Sequence, residues 1–335
     1  MKVGVVIGKF LPPNKGNISV CQVAKLSSDS LIIIVLFTPI DPISIDLRTK
    51  WLIADFPNAE IKVLKLRSDF TEDSFLDALV KRKDKLFPSH KSHFFGSLSL
   101  TAKLGKRLNC DFTVVDPEKL AIPTDSKKLL KHPYSNWWHL TAPVRNSLRM
   151  RVVIVGPESV GKSTLAQSLR DKLKLGTFLP EYGRSYEIFR DSGPYKLWEL
   201  EKIINIHSSH RKALLPLAGP IFIEDTDELV TGIWSEVLIK KKMRFIEQNF
   251  SLPKLYIVLD PTVPFVPDPI RYFPEEKERM DFFDRITQAL RTVNADFVTL
   301  TGDYRQREKE SVRLLKLLIK DSPDWSKISN DSARI

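Results

Sequence analysis

The chain has 335 residues, 42% of them hydrophobic and 28% charged, which is enough for two globular units that each bury a core. No window approaches the roughly 18 uninterrupted apolar residues of a bilayer span, and residues 1–10 lack the long apolar core and cleavage site of a signal peptide, so a cytoplasmic protein is expected. The formal charge of +11 falls mostly before Arg149, with 22 basic and 14 acidic residues in 1–148 against 30 and 27 in 149–335. These lysines are scattered rather than interleaved with aromatics, which suits phosphorylated ligands better than nucleic acid. Cys21 and Cys110 form no paired motif, which argues against a disulfide framework or a zinc site.

In chain order, the apolar runs at 3–7, 31–37, 61–66, 93–95 and 112–115 are short, β-branched or aromatic, and separated by stretches able to form helices. That alternation predicts a parallel, doubly wound sheet. A Pro- and Trp-rich segment, 132–149, has neither a helical nor a strand period and reads as the connection to a second unit. Further strands are expected at 152–155, 221–223, 255–259 and 297–300, so the second unit is α/β as well.

Residues 156–163, GPESVGKS, fit G-x-x-x-x-G-K-[ST] between the strand RVVIV and the helical pattern TLAQSLRDKL. The glycines let successive amides turn inward on phosphates, Lys162 reaches the β/γ oxygens and Ser163 ligates Mg²⁺. The ATP-binding set read from this loop is Gly156, Glu158, Ser159, Gly161, Lys162, Ser163 and Thr164. Such a loop needs a carboxylate at a neighbouring strand tip, and EDTD after the run at 221–223 supplies it. Asp225 is placed to hold the metal with Ser163 or accept a hydroxyl proton, and Asp227 to grip a second hydroxyl; the competing reading makes these acids helix caps. The Pro-rich turn 265–271 carries Arg271 before a charged helix. As a lid it delivers Arg271 to the transferring phosphoryl group, with a plain surface loop as the alternative.

Five motifs together resemble the ribosylnicotinamide kinase domain of NadR-type proteins: GPESVGKSTL, PEYGRSY at 180–186, EDTD with Thr231 and Trp234, LDP…FVPDPIR, and Gly302-Asp303-Tyr304. The resemblance implies phosphorylation of nicotinamide riboside by Mg·ATP, with Glu181, Tyr182 and Arg184 beside Asp225 and Asp227 at the riboside. Where that family has a glutamine, this chain has His207.

The first half resembles the nicotinamide-mononucleotide adenylyltransferase domain of the same family. Gly8 and Phe10 of its G-x-F-x-P-x-H-x-G-H pattern are present, but both histidines are replaced, by Asn14 and Asn17. The arginine of I-S-x-T-x-I-R falls on Leu130, and V-D-x-x-R becomes VDPEK. An asparagine amide offers a neutral hydrogen bond where charge builds on phosphates, so a loss on the order of 10²-fold or more per donor is expected. The fold class expected is therefore α/β in two domains: a degenerate Rossmann-like nucleotidyltransferase fold over 1–140 and a P-loop NTPase/kinase fold over 150–325. A linker at 141–149 joins them, and 326–335 is expected to fray. The leading function is a riboside kinase. Alternatives are a bifunctional kinase and adenylyltransferase, a pyridine-nucleotide sensor, or a kinase for another nucleoside. Relatives with a DNA-binding helix-turn-helix carry it ahead of the first domain, whereas this chain opens on its first strand, so direct repression is not expected. A homo-oligomer is compatible with the sequence.

Overall fold

The five apolar runs of the first half form strands β1 (Val3–Gly8), β2 (Ser30–Phe37), β3 (Glu60–Lys65), β4 (Ser92–Gly96) and β5 (Asp111–Val114) in the computed structural model. It describes residues 2–88, 91–96, 99–173, 175–243, 251–263, 275–319 and 323–328. All neighbours are parallel, in the order β3-β2-β1-β4-β5. Helices α1 (Lys15–Leu26), α2 (Ile45–Asp55), α3 (Glu72–Leu86) and α4 (Ser99–Leu108) make the crossovers. β2 reads SLIIIVLF with six consecutive buried residues because helices cover both faces of a parallel sheet. One face packs Phe75, Leu79 and Phe94 against Ile32 and Ile34; the other packs Cys21, Ala24, Leu52 and Phe56 against Ile33 and Val35. α5 (Ser126–Lys131) and α6 (Ala142–Leu148) complete this unit.

The second unit repeats the principle with β6 (Met150–Val155), β7 (Gly176–Leu179), β8 (Ile221–Asp225), β9 (Leu255–Leu259) and β10 (Phe297–Leu300), all parallel, in the order β10-β9-β6-β8-β7. Its helices are α7 (Lys162–Lys172), α8 (Tyr182–Phe189), α9 (Leu197–Leu214), α10 (Glu228–Leu238), α11 (Glu276–Thr292) and α12 (Tyr304–Leu318). β6 lies between β8 and β9, so the crevice at its carboxyl end falls where the strand order reverses, the usual ligand position in open α/β sheets. Ile154 pairs in register with Asp225, and Val155 with Val258. Thus the ends of β6, β8 and β9 stand side by side. No helix among the described residues is long and apolar enough to cross a membrane.

The chain divides at Leu148/Arg149 rather than through a free linker at 141–149: α6 is a regular helix with Val144 and Leu148 buried, and it belongs to the first unit. The stretch 323–328 also returns to that unit instead of ending the second; the rest of the tail expected to fray, 329–335, lies outside the described residues. Trp325 meets Trp51 edge-on at 6.4 Å and donates its indole N–H to the Leu130 carbonyl at 3.0 Å. β7, with the short sequence GTFL, was not expected. It is an edge strand with one fully buried residue, Leu179, too short to show a period.

Candidate active site

The loop between β6 and α7 adopts the conformations its sequence demands. Gly156 has φ +152°, and a Cβ there would lie 2.6 Å from the Leu259 carbonyl oxygen. Gly161 has φ +88°, caps α7, and would place a Cβ 2.3 Å from the Tyr304 ring. Both positions therefore require glycine. Ser159 takes φ 62° without being glycine, local strain of the kind found at ligand clamps. The loop leads into the N-terminus of an 11-residue helix, where free amides and the helix dipole favour an anion.

Around this loop opens a cleft. Gly156, Glu158, Ser159, Gly161, Lys162, Ser163 and Thr164 line one end, as the motif predicts. Lys162 Nζ donates to the Pro157 carbonyl at 2.8 Å, so the ammonium lies over the loop. Ser163 Oγ donates to Asp225 Oδ2. Asp225 is 1% exposed, and its Oδ1 has no hydrogen-bond partner among the described residues. A buried, half-satisfied carboxylate beside the serine of a phosphate loop fits a hydrated cation held with phosphate oxygens, the usual mode for Mg²⁺. No group of three or more His, Cys, Asp or Glu among the described residues makes an all-protein metal cage.

Glu181 and Arg184 face the same cleft, and Glu181 also lines a narrower chamber with Tyr182, His207 and Asp225. Burial pushes the Glu181 carboxyl up to about 7, the charge of Asp225 adds to the shift, and Lys162, His207 and Arg184 oppose it. Leu200, Ile203, Val230, Trp234 and Leu238 contribute apolar lining to the cleft. Of these only Trp234 stood out in the sequence. The others look like ordinary core positions of α9 and α10.

Asp227, expected to grip a substrate hydroxyl, lines the narrower chamber, but the protein engages both of its carboxylate oxygens. Its Oδ1 accepts the Leu229 and Val230 amides at 3.1 and 3.4 Å and caps α10; its Oδ2 accepts the Tyr256 hydroxyl at 2.5 Å. The competing reading as a helix cap is the one the geometry supports. Beneath it lies a charge cluster absent from the sequence reading. Glu224, fully buried, accepts bidentate hydrogen bonds from Arg151 (2.7 and 3.2 Å) and Arg211 (2.7 and 2.9 Å), and Arg211 also reaches Glu228 at 2.8 Å. His207 Nε2 stands 3.5 Å from Glu224, so this residue belongs to the chamber floor and the cluster together. Arg271 and the turn 265–271 lie outside the described residues.

In the first unit, the residues expected at an eroded adenylyltransferase site are close together but engaged with one another. Gly8 ends β1, with the buried Phe10 ring against it. Asn14, 0% exposed, caps α1 by accepting the Asn17 amide at 3.1 Å. Its Nδ2 donates to Asn17 Oδ1 (2.7 Å), the Pro12 carbonyl (3.2 Å) and Ser126 Oγ (3.2 Å). Leu130 is half-buried, its carbonyl taken by Trp325. Thr124 packs against Gly16 in the first turn of α1, its Oγ1 2.2 Å from where a Cβ there would be, so this position requires glycine.

Known proteins resemble both halves. A family model described as an AAA domain matches residues 151–307. The trifunctional NAD biosynthesis/regulator protein NadR of Escherichia coli K12 is 23% identical over 347 residues, covering 94% of this chain and 82% of the relative. Its counterpart in Salmonella typhimurium LT2 is 24% identical over 345 residues with the same coverage. Two crystal structures share the fold at 20% identity, covering 95% of this chain and 96% of theirs: a NadR protein in complex with NR, at TM-score 0.65, and one in complex with NAD and AMP-PNP, at 0.62. With ordered motifs, fold and coverage all agreeing, the chain is homologous to the NadR proteins over nearly its whole length.

Proposed function

We propose that the second unit transfers the γ-phosphoryl group of ATP to the 5′-hydroxyl of nicotinamide riboside, giving ADP and nicotinamide mononucleotide. The observation that carries this reading is the hydrogen bond from Ser163, on the glycine-rich loop and lining the cleft, to the buried Asp225. The names of the relatives, NAD biosynthesis proteins, and the NR and AMP-PNP bound in the two similar structures support the choice of substrates. Loop amides and Lys162 hold the β- and γ-phosphates, where they stabilise charge that builds during transfer. Mg²⁺, held by Ser163 and by Asp225 through its hydration shell, would neutralise phosphate charge. Glu181, which lines both the cleft and the narrower chamber, accepts the hydroxyl proton as the new O–P bond forms and the β–γ bridge bond breaks, leaving Asp225 to the cation. Glu181, Tyr182 and Arg184 line the riboside's side, Thr164 and Glu158 the nucleotide's, and Arg271 is the arginine proposed for the phosphoryl group.

For the first unit we infer a retained adenylyltransferase-like fold with little or no adenylyl transfer. Asn14, which replaces a histidine donor, spends its amide on the protein itself. Resolving the products from Mg·ATP and nicotinamide riboside tests both halves: mononucleotide with ADP is expected, and dinucleotide with pyrophosphate would support the bifunctional alternative.

A further inference from the structure

Behind the phosphate loop lies a residue that no motif singles out. Arg307, on the first turn of α12, is 1% exposed, and its guanidinium joins segments distant in sequence. Nη1 donates to the Val160 carbonyl inside the loop at 3.2 Å. Nη2 donates to the Asp260 carbonyl at 3.2 Å, the Asp260 carboxylate at 2.5 Å and Thr262 Oγ1 at 3.2 Å. Asp260 and Thr262 follow β9, so one side chain ties the loop to the neighbouring strand end. The same helix turn sets Tyr304 against Gly161.

We propose that Arg307 is a positioning residue for nucleotide binding: by holding the Val160 carbonyl away from the cleft, it keeps the loop amides turned inward on a triphosphate. The inference rests on reading this loop as the nucleotide site. A planar fork of donors is what the geometry requires, since a lysine ammonium cannot meet carbonyls from two segments and a carboxylate in one plane. Arg307 also neutralises Asp260, whose charge would otherwise face the loop from behind without its cation.

The test is calorimetric titration of Mg·ATP into wild type, Arg307→Met and Arg307→Lys, with melting curves and riboside KM measured in parallel. Arg307→Met should bind Mg·ATP about tenfold more weakly or worse, recover part of that affinity when guanidinium ion is added at non-denaturing concentration, and keep its riboside KM near wild type. Arg307→Lys should fold like wild type and lose affinity for ATP selectively. If Arg307→Met does not fold, Arg307→Lys decides alone. Unchanged ATP affinity in a folded variant overturns the proposal, as does a parallel loss of ATP affinity, riboside affinity and melting temperature with no recovery by guanidinium. Binding is read without turnover, so a wild type that binds Mg·ATP yet leaves nicotinamide riboside untouched would overturn the kinase reading and leave this comparison valid.

Discussion

Glu181 and Glu224 flank one strand end, and their surroundings move them in opposite directions. Burial and the neighbouring Asp225 raise Glu181 to about 7. Only its ionised form accepts a proton, so kcat/KM should climb as pH rises through about 7. Glu181→Gln should flatten that limb and lower turnover about 10²-fold or more, as measured by a pH–rate profile. The raised value also means that Glu181 favours the folded state in acid and loses that contribution as pH rises through about 7. Melting temperatures should therefore show Glu181→Gln gaining on wild type above that pH. For Glu224, burial works against ionisation, but Arg151, His207 and Arg211 outweigh it and hold the carboxyl well below the usual range. Its contribution is full above the ordinary carboxylate range and is lost only as pH falls through the depressed value. Glu224→Gln leaves two buried guanidiniums short of charge, an expected loss of about 3–5 kcal/mol in urea denaturation at neutral pH that narrows in acid.

At the level of elements, α10 begins where β8 ends, and Asp227 makes the join. Asp227→Ala removes a cap contributing about 0.5–2 kcal/mol and leaves the Tyr256 hydroxyl unpaired in the core, a further cost of about 1–3 kcal/mol. A denaturation midpoint that falls while the riboside KM stays near wild type is the expected result; a large KM change at unchanged stability would return Asp227 to the substrate. This residue also shows where sequence reading stops. Spacing alone carried the phosphate loop, because its glycines, lysine and serine act within eight residues of each other, and Asp225 could be found at the end of an apolar run. The partner that commits Asp227 is 29 residues away. Arg307 lies 147 residues from the loop carbonyl it holds, and Trp325 lies 195 from the one it meets. The inner strands β2, β6, β8 and β9 were legible because they are buried and read as apolar runs, whereas the edge strand β7 had too few residues to do so.

Over the whole molecule, two α/β units built on the same plan differ in what their strand ends offer. In the second, the loop and Glu181 line an open cleft, and Ser163 on that loop reaches the buried Asp225, whose Oδ1 has no hydrogen-bond partner among the described residues. In the first, the Asn14 amide is spent on Asn17, Ser126 and the Pro12 carbonyl where a phosphate donor is expected. Apolar strand packing does not depend on those polar groups, so this fold is compatible with the loss of adenylyl transfer proposed for the first unit. The central claim is ATP-dependent phosphorylation by the second unit, and its most direct test is product analysis with Mg·ATP and nicotinamide riboside for wild type and Lys162→Ala. Wild type should release ADP and nicotinamide mononucleotide in equal amounts, and a folded Lys162→Ala should be slower by a factor on the order of 10² or more. No mononucleotide from wild type, or equal rates from the two proteins, would contradict it.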